Sequence, residues 1–192
     1  IENSQANATK ETSANETETL TEEEQKTFNC FEQDFSEDEE IKALQSVFVK
    51  KLIKDKSYSI DEITVILWST HSDNKEICQQ QIAFAKELLK DKNYSARDID
   101  YILYSTKNDN KEICQQQIAF VKELIKKKSY SADNVVKLMS AVYSHDSKDM
   151  LSKIENAKKI IATINEDDGL TKDQAFTIIT SKNTVSYQDV KK

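Results

Sequence analysis

The sequence predicts an all-α chain of tandem helix-hairpin repeats, each about 36 residues long. Three observations lead there: the near absence of helix-breaking residues, an identical internal repeat, and apolar residues spaced at the helical period. The 192 residues include one glycine and no proline. All-β chains lean on such residues for their tight turns, and without them the strongest interruptions of a helix are missing.

The ten residues 75–84 return unchanged at 111–120, an offset of 36. Self-similarity at this period is the signature of a repeat architecture. Carried back without gaps, the same offset aligns Phe48 with Phe84 and Phe120, and Leu52 with Leu88 and Leu124. Tyr58 and Ser59 fall in register with Tyr94 and Ser95, and with Tyr130 and Ser131. A degenerate fourth copy follows, in which Ile154 matches Ile82 and Ile118 and the turn is four residues longer, ending at Leu170 and Thr171.

Each unit reads as two helices. In the second copy Ile77, Cys78, Ile82, Ala85 and Leu88 line one helical face, and Ile99, Ile102 and Leu103 line the next. Phe84 flanks the first face and is expected to pack on the neighbouring unit. Ser59 with Glu62 and Ser95 with Asp98 have capping-box spacing, each preceded by a tyrosine placed to act as a hydrophobic staple. Asp73 and Asp109 precede Glu76 and Glu112 by three and mark the expected starts of first helices. Lysines gather where first helices end and complement their carbonyl termini.

The chain therefore divides into an acidic, disordered tail (1–20), an N-terminal capping helix (21–36), four hairpins (37–74, 75–110, 111–147 and 148–181) and a polar C-terminal tail (182–192) with Val185, Tyr187 and Val190 as docking points. The tail has too little apolar surface to offset its ordering entropy. Residues 21–35 differ: Thr21 and Glu24 form a box, and Phe28, Phe31 and Phe35 lie at helical spacing. This segment either caps the first unit or serves as a linear motif for a partner groove. Hairpins of this length cannot bury both faces alone, so they stack as a short right-handed α-solenoid, or the last pair folds back into a compact helical bundle.

Charge is segregated. Residues 1–40 carry thirteen acidic side chains and two lysines, so the remainder is at +4 against a total of −7. Cys30, Cys78 and Cys114 are an odd number without CxxC spacing, which speaks against a disulfide framework or a zinc site. Cys78 and Cys114, at one repeat position on an apolar stripe, read as buried free thiols, and in an oxidising compartment Cys30 is placed to bridge to one of them. No apolar run is long enough to insert in a membrane. The start at Ile1 and the Asn-x-Ser/Thr sites at Asn7, Asn15 and Asn93 lead to the expectation of a secreted chain whose signal peptide has been removed, the alternative being cytoplasmic.

Catalytic chemistry is not indicated. His71 and His145 sit in turns at non-equivalent repeat positions, and one glycine does not make a phosphate loop. The stretch 165–169 resembles a calcium loop, but with Gly169 as its sixth residue the first and twelfth ligands are Ile164 and Ala175. No cofactor is expected.

Two patterns point to protein binding. The triplets at 79–81 and 115–117 offer a ladder of amides, of which Gln79, Gln80, Gln115 and Gln116 are candidates to face an extended partner. On the second helices, Val65, Tyr101 and Lys137 form one column, and Trp68, Tyr104 and Ser140 another. Facing outward, these make an aromatic groove with hot-spot composition; facing inward, they pack on the next unit.

The expected function is a non-enzymatic protein–protein interaction scaffold, read as a secreted effector that engages a host protein and as a monomer. The alternatives are an intracellular adaptor and a self-assembling structural repeat protein. The unit length resembles that of the PUF and PPR families, which would imply RNA reading. A single arginine, Arg97, sets the chain apart from such readers, and no nucleic acid is expected. The unit length also resembles that of tetratricopeptide repeats, whose helix-ending proline is missing here.

Overall fold

The computed structural model describes residues 19–127, 130–163 and 171–181, and the chain is all-α, with no strand among the described residues. The tails at 1–18 and 182–192, the sites Asn7 and Asn15, and the 165–169 turn with Gly169 lie outside the described residues.

First helices are α2 (Glu39–Asp55), α4 (Lys75–Leu88), α6 (Lys111–Lys122) and α8 (Ser147–Ala162). Their N-caps, Asp38, Asn74, Asn110 and Asp146, keep the 36-residue spacing. Here the structure corrects an expectation: Asn74 and Asn110, not Asp73 and Asp109, cap α4 and α6. The Asn110 Oδ1 accepts from the backbone N–H groups of Glu112 at 2.9 Å and Ile113 at 3.2 Å. An amide oxygen serves as well as a carboxylate at this position.

Second helices are α3 (Ile60–Thr70), α5 (Ala96–Ser105), α7 (Ala132–Val142) and α9 (Lys172–Thr180). Ser59, Ser95 and Thr171 form the full reciprocal box with the residue three places on, and Ser131 caps α7 through its hydroxyl alone. The chain ends α2 on a left-handed residue without glycine, Lys56 at φ 51°, whose N–H donates to the Ile53 carbonyl at 3.2 Å. After α6 the backbone continues as a π-helical turn, Glu123–Lys127.

The helices lie in two rows. In one, α2 packs on α4, α4 on α6 and α6 on α8; in the other, α3 packs on α5, α5 on α7 and α7 on α9. Between the rows, α2 meets α3, α4 meets α5 and α8 meets α9. The core runs along the seam. Phe48, Phe84 and Phe120 are all buried at equivalent positions, and truncating one to alanine costs about 3–5 kcal/mol in such a setting. Tyr58, Tyr94 and Tyr130 pack on the same core. Burial raises the pKa of all three phenols, Tyr130 to about 12.

Helix α1 (Glu22–Asn29) packs on α2, with Phe28, Phe31 and Phe35 buried. It is shorter than the phenylalanine spacing suggests: it stops at Asn29, and a 3₁₀ turn at Glu32–Asp34 completes the segment.

A column of glutamines runs through the interior at Gln45, Gln81 and Gln117, all buried. The Gln81 amide donates to the Thr106 carbonyl at 3.1 Å, at the end of α5, and to the Cys114 sulfur at 3.3 Å, on the next first helix. Gln117 repeats the second contact with Met150 at 3.5 Å, the residue one repeat beyond Cys114. Its Oε1 is buried without a partner among the described residues. The reason lies in the repeat: the third counterpart of Thr70 and Thr106, whose hydroxyls are buried, is Val142. An unsatisfied buried carbonyl costs roughly 1–3 kcal/mol. Val142→Thr is expected to raise stability by about 1 kcal/mol by supplying that hydroxyl, measured by urea unfolding; a loss of stability would refute this account of the orphan oxygen.

Candidate functional site: an aromatic face on the second helices

The inner side of α3 carries Ile63, Ile66 and Leu67, and that of α5 carries Ile99, Ile102 and Leu103, all fully buried. Helical geometry then turns positions 65 and 68, and their counterparts 101 and 104, away from the core. Trp68 is 59% exposed and Tyr104 74%, with Val65 and Tyr101 also exposed. The columns face outward.

Two sets of interactions organise this face. Beneath it, the Ser69 hydroxyl hydrogen-bonds the Asp100 carboxylate, joining α3 to α5. On it, the Trp68 indole N–H donates to Asp34 at 3.3 Å, so the N-terminal segment borders the face. The Arg97 guanidinium donates to the Tyr101 hydroxyl at 2.8 and 3.0 Å and lies 5.3 Å from its ring centroid. The Tyr101 hydroxyl thereby has a cation beside it on the surface. Farther along, the second-helix row turns polar: Lys137 pairs with Asp133 at 2.6 Å, and Ser140 stands where the aromatics were. Tyr143, exposed just past α7, stacks edge-on with His145 at 5.3 Å.

The amide candidates lie on the other row. Gln79 and Gln115 are exposed and Gln80 and Gln116 half-buried, on α4 and α6, while the third member of each triplet belongs to the interior column. The structure therefore brings Trp68, Tyr101 and Tyr104 together on neighbouring helices and sets the glutamines on the first-helix row. Asp34 and Tyr143 were not singled out by sequence reasoning. Asp34 reaches Trp68 across 34 residues and belongs to no repeat position, and Tyr143 follows the helix end, where periodicity stops.

Chemically reactive groups are subdued. Cys78 and Cys114 are buried and free, and burial pushes the Cys78 thiol up to about 11 and the Cys114 thiol upward as well. Both are thiols, not nucleophilic thiolates, at neutral pH. The Gln45 Oε1 accepts from the Ser36 N–H at 2.8 Å, so its Nε2 donates to His71 Nδ1 at 3.2 Å and leaves the ring proton on Nε2. An open polar cleft runs between His71, Ser72, Asp73, Asn74, Lys107 and Asp109. Among the described residues no group of three His, Cys, Asp or Glu side chains is placed to hold a metal ion, and no helix is long and apolar enough to cross a membrane.

The fold and the face together define the class: an all-α chain of paired helix rows with an exposed aromatic surface on one row. No family model, curated protein or solved structure matches it.

A thiol-titration with Ellman's reagent at pH 8 is expected to label the exposed Cys30 at once and to reach Cys78 and Cys114 only on unfolding. Rapid labelling of all three in the native protein would contradict the buried positions of the two repeat cysteines.

Proposed function

We propose that the chain is a non-enzymatic scaffold that binds another protein through the outer face of α3 and α5, with Trp68, Tyr101 and Tyr104 as anchors. The observation that carries this is the exposure of these three large aromatics on two adjacent helices. Rigid amphipathic rings of this kind supply much of the binding energy at protein interfaces, and a surface aromatic cluster is costly to leave in water without a partner. Arg97 beside Tyr101 and Asp34 beside Trp68 add polar contacts at the rim. Gln79, Gln80, Gln115 and Gln116 would form a second, polar contact surface on the first-helix row.

The packing of alternate helices, α2 on α4 on α6 on α8 and α3 on α5 on α7 on α9, supports stacking of the hairpins as a short right-handed α-solenoid over a compact helical bundle. In a solenoid, equivalent positions of successive units line one continuous surface. Here the Val65, Tyr101, Lys137 and Trp68, Tyr104, Ser140 columns grade from aromatic to polar, which gives the surface a direction. The setting we favour is secretion, with a host protein as the target; the Asn93 sequon is exposed in the turn after α4.

The test is affinity capture with the full chain as bait, compared with Trp68→Ala/Tyr104→Ala. Both side chains point to solvent, so helicity by circular dichroism is expected to stay within a few per cent (~0.5 kcal/mol or less of stability per surface substitution), while the captured partner is lost. Retention of the same partner by the double variant would remove the aromatic face from the interface.

A further inference from the structure

At the junction of the second and third units, one carboxylate ties two first helices together. Glu87 on α4 pairs with Lys122 on α6 at 2.6 Å and with Lys126 at 3.0 Å. Those hydrogen bonds, led by Lys122, hold the Glu87 carboxyl below its usual range. The Lys122 ammonium also sits 5.7 Å from the Phe84 ring centroid.

One repeat earlier the scaffold is the same. Lys86 on α4 sits 6.0 Å from the Phe48 ring centroid, in the manner of Lys122 over Phe84. Lys90 is the counterpart of Lys126, though it follows the end of α4 where Lys126 lies in the π-helical turn. The residue at the Glu87 position, however, is Lys51. A cation stands where the next junction has its bridging carboxylate. Burial, joined by the charge of Lys51, lowers the Lys86 pKa. Among the described residues neither Lys51 nor Lys86 has a carboxylate within ion-pairing distance.

We infer that the junction of α2 and α4 at Lys51 and Lys86, with the exposed Lys90 one turn on, is a binding site for a glutamate or aspartate side chain of an acidic partner peptide. The incoming carboxylate would bridge Lys51 and Lys86 from outside, pairing with Lys86 as Glu87 pairs with Lys122 one unit later, where an ammonium already sits beside a buried phenylalanine. The ligand class follows from that substitution: the native occupant of the equivalent slot is a carboxylate on an extended side chain. Against the chain's overall charge of −7, the attraction for a carboxylate is local and comes from Lys51, Lys86 and Lys90. The site lies on the first-helix row and stands independently of the aromatic face.

The experiment uses the full chain and a fluorescein-labelled hexaglutamate peptide, followed by fluorescence anisotropy at low and physiological salt. Binding is expected for the wild type, weakened about tenfold or more by Lys51→Glu, which installs the missing carboxylate in cis and repels the one in trans. The same substitution is expected to raise the thermal midpoint by recreating the Glu87 bridge, so loss of binding by misfolding is separated from loss by occupation of the site. Lys86→Gln should weaken binding comparably, while Lys92→Gln, beyond the end of α4, leaves it within about twofold. Absence of peptide binding at low salt, equal weakening by Lys92→Gln, or undiminished binding by Lys51→Glu would each overturn the assignment.

Discussion

A pair of short helices has more apolar surface than the pair itself can cover, and every other feature of this chain follows from how that excess is hidden. The first helices α2, α4 and α6 each bury a phenylalanine at one repeat position, and each second helix packs on the next. The burial works only in one register, because a helical face turns away from its partner within a residue or two of slippage. The 36-residue spacing of Asp38, Asn74, Asn110 and Asp146 is that register expressed in the caps. The interior glutamines reinforce it with directional bonds: Gln81 to the end of α5 and to Cys114, Gln117 to Met150. Ahead of the first hairpin α1 covers α2, and Lys50 rests over Phe28 at 5.2 Å as Lys86 rests over Phe48.

Much of the helical layout was legible because the chain says the same thing more than once. The identical stretches at 75–84 and 111–120, the tyrosine–serine turns and the period of the apolar residues all converge on paired helices. Individual assignments within that layout were less secure. Aspartate at 73 and 109 competes with asparagine at 74 and 110 for the cap, and choosing between adjacent residues of nearly equal capping strength requires the backbone angles. The three consecutive glutamines look uniformly polar, yet the helix rotates by 100° per residue and carries Gln81 and Gln117 inside while Gln79 and Gln115 stay wet. The length of α1 was overestimated because Phe28, Phe31 and Phe35 satisfy a 3₁₀ turn as readily as an α-helix when only their burial is at stake.

The outward turn of Trp68 and Tyr104 could not be read from periodicity. Their positions sit at the edge of the apolar stripe, where packing on a neighbour and exposure to solvent produce the same spacing. Contacts such as Trp68 to Asp34 join residues of different units or of the flanking segment, and a repeat alignment is blind to them. Where the repeat departs from itself, the departures separate into two kinds. Val142 in place of threonine leaves an interior acceptor unpaired and reads as decay within the third unit. Lys51 in place of glutamate, and the passage from Trp68 and Tyr104 to Ser140, change only surfaces, where stability constrains composition weakly and a partner constrains it strongly.

If register between successive hairpins is what holds the molecule, one whole unit is removable. Excising residues 75–110 joins Asn74 directly to Lys111, which preserves the cap, the decapeptide and every repeat position. Circular dichroism and urea unfolding of this shortened chain are the most direct measurement. The account predicts a helical protein that unfolds cooperatively at lower stability, whereas removal of residues 75–104, six residues out of register, leaves an unfolded one. A 36-residue excision that abolishes folding, or an out-of-register excision that does not, would contradict it.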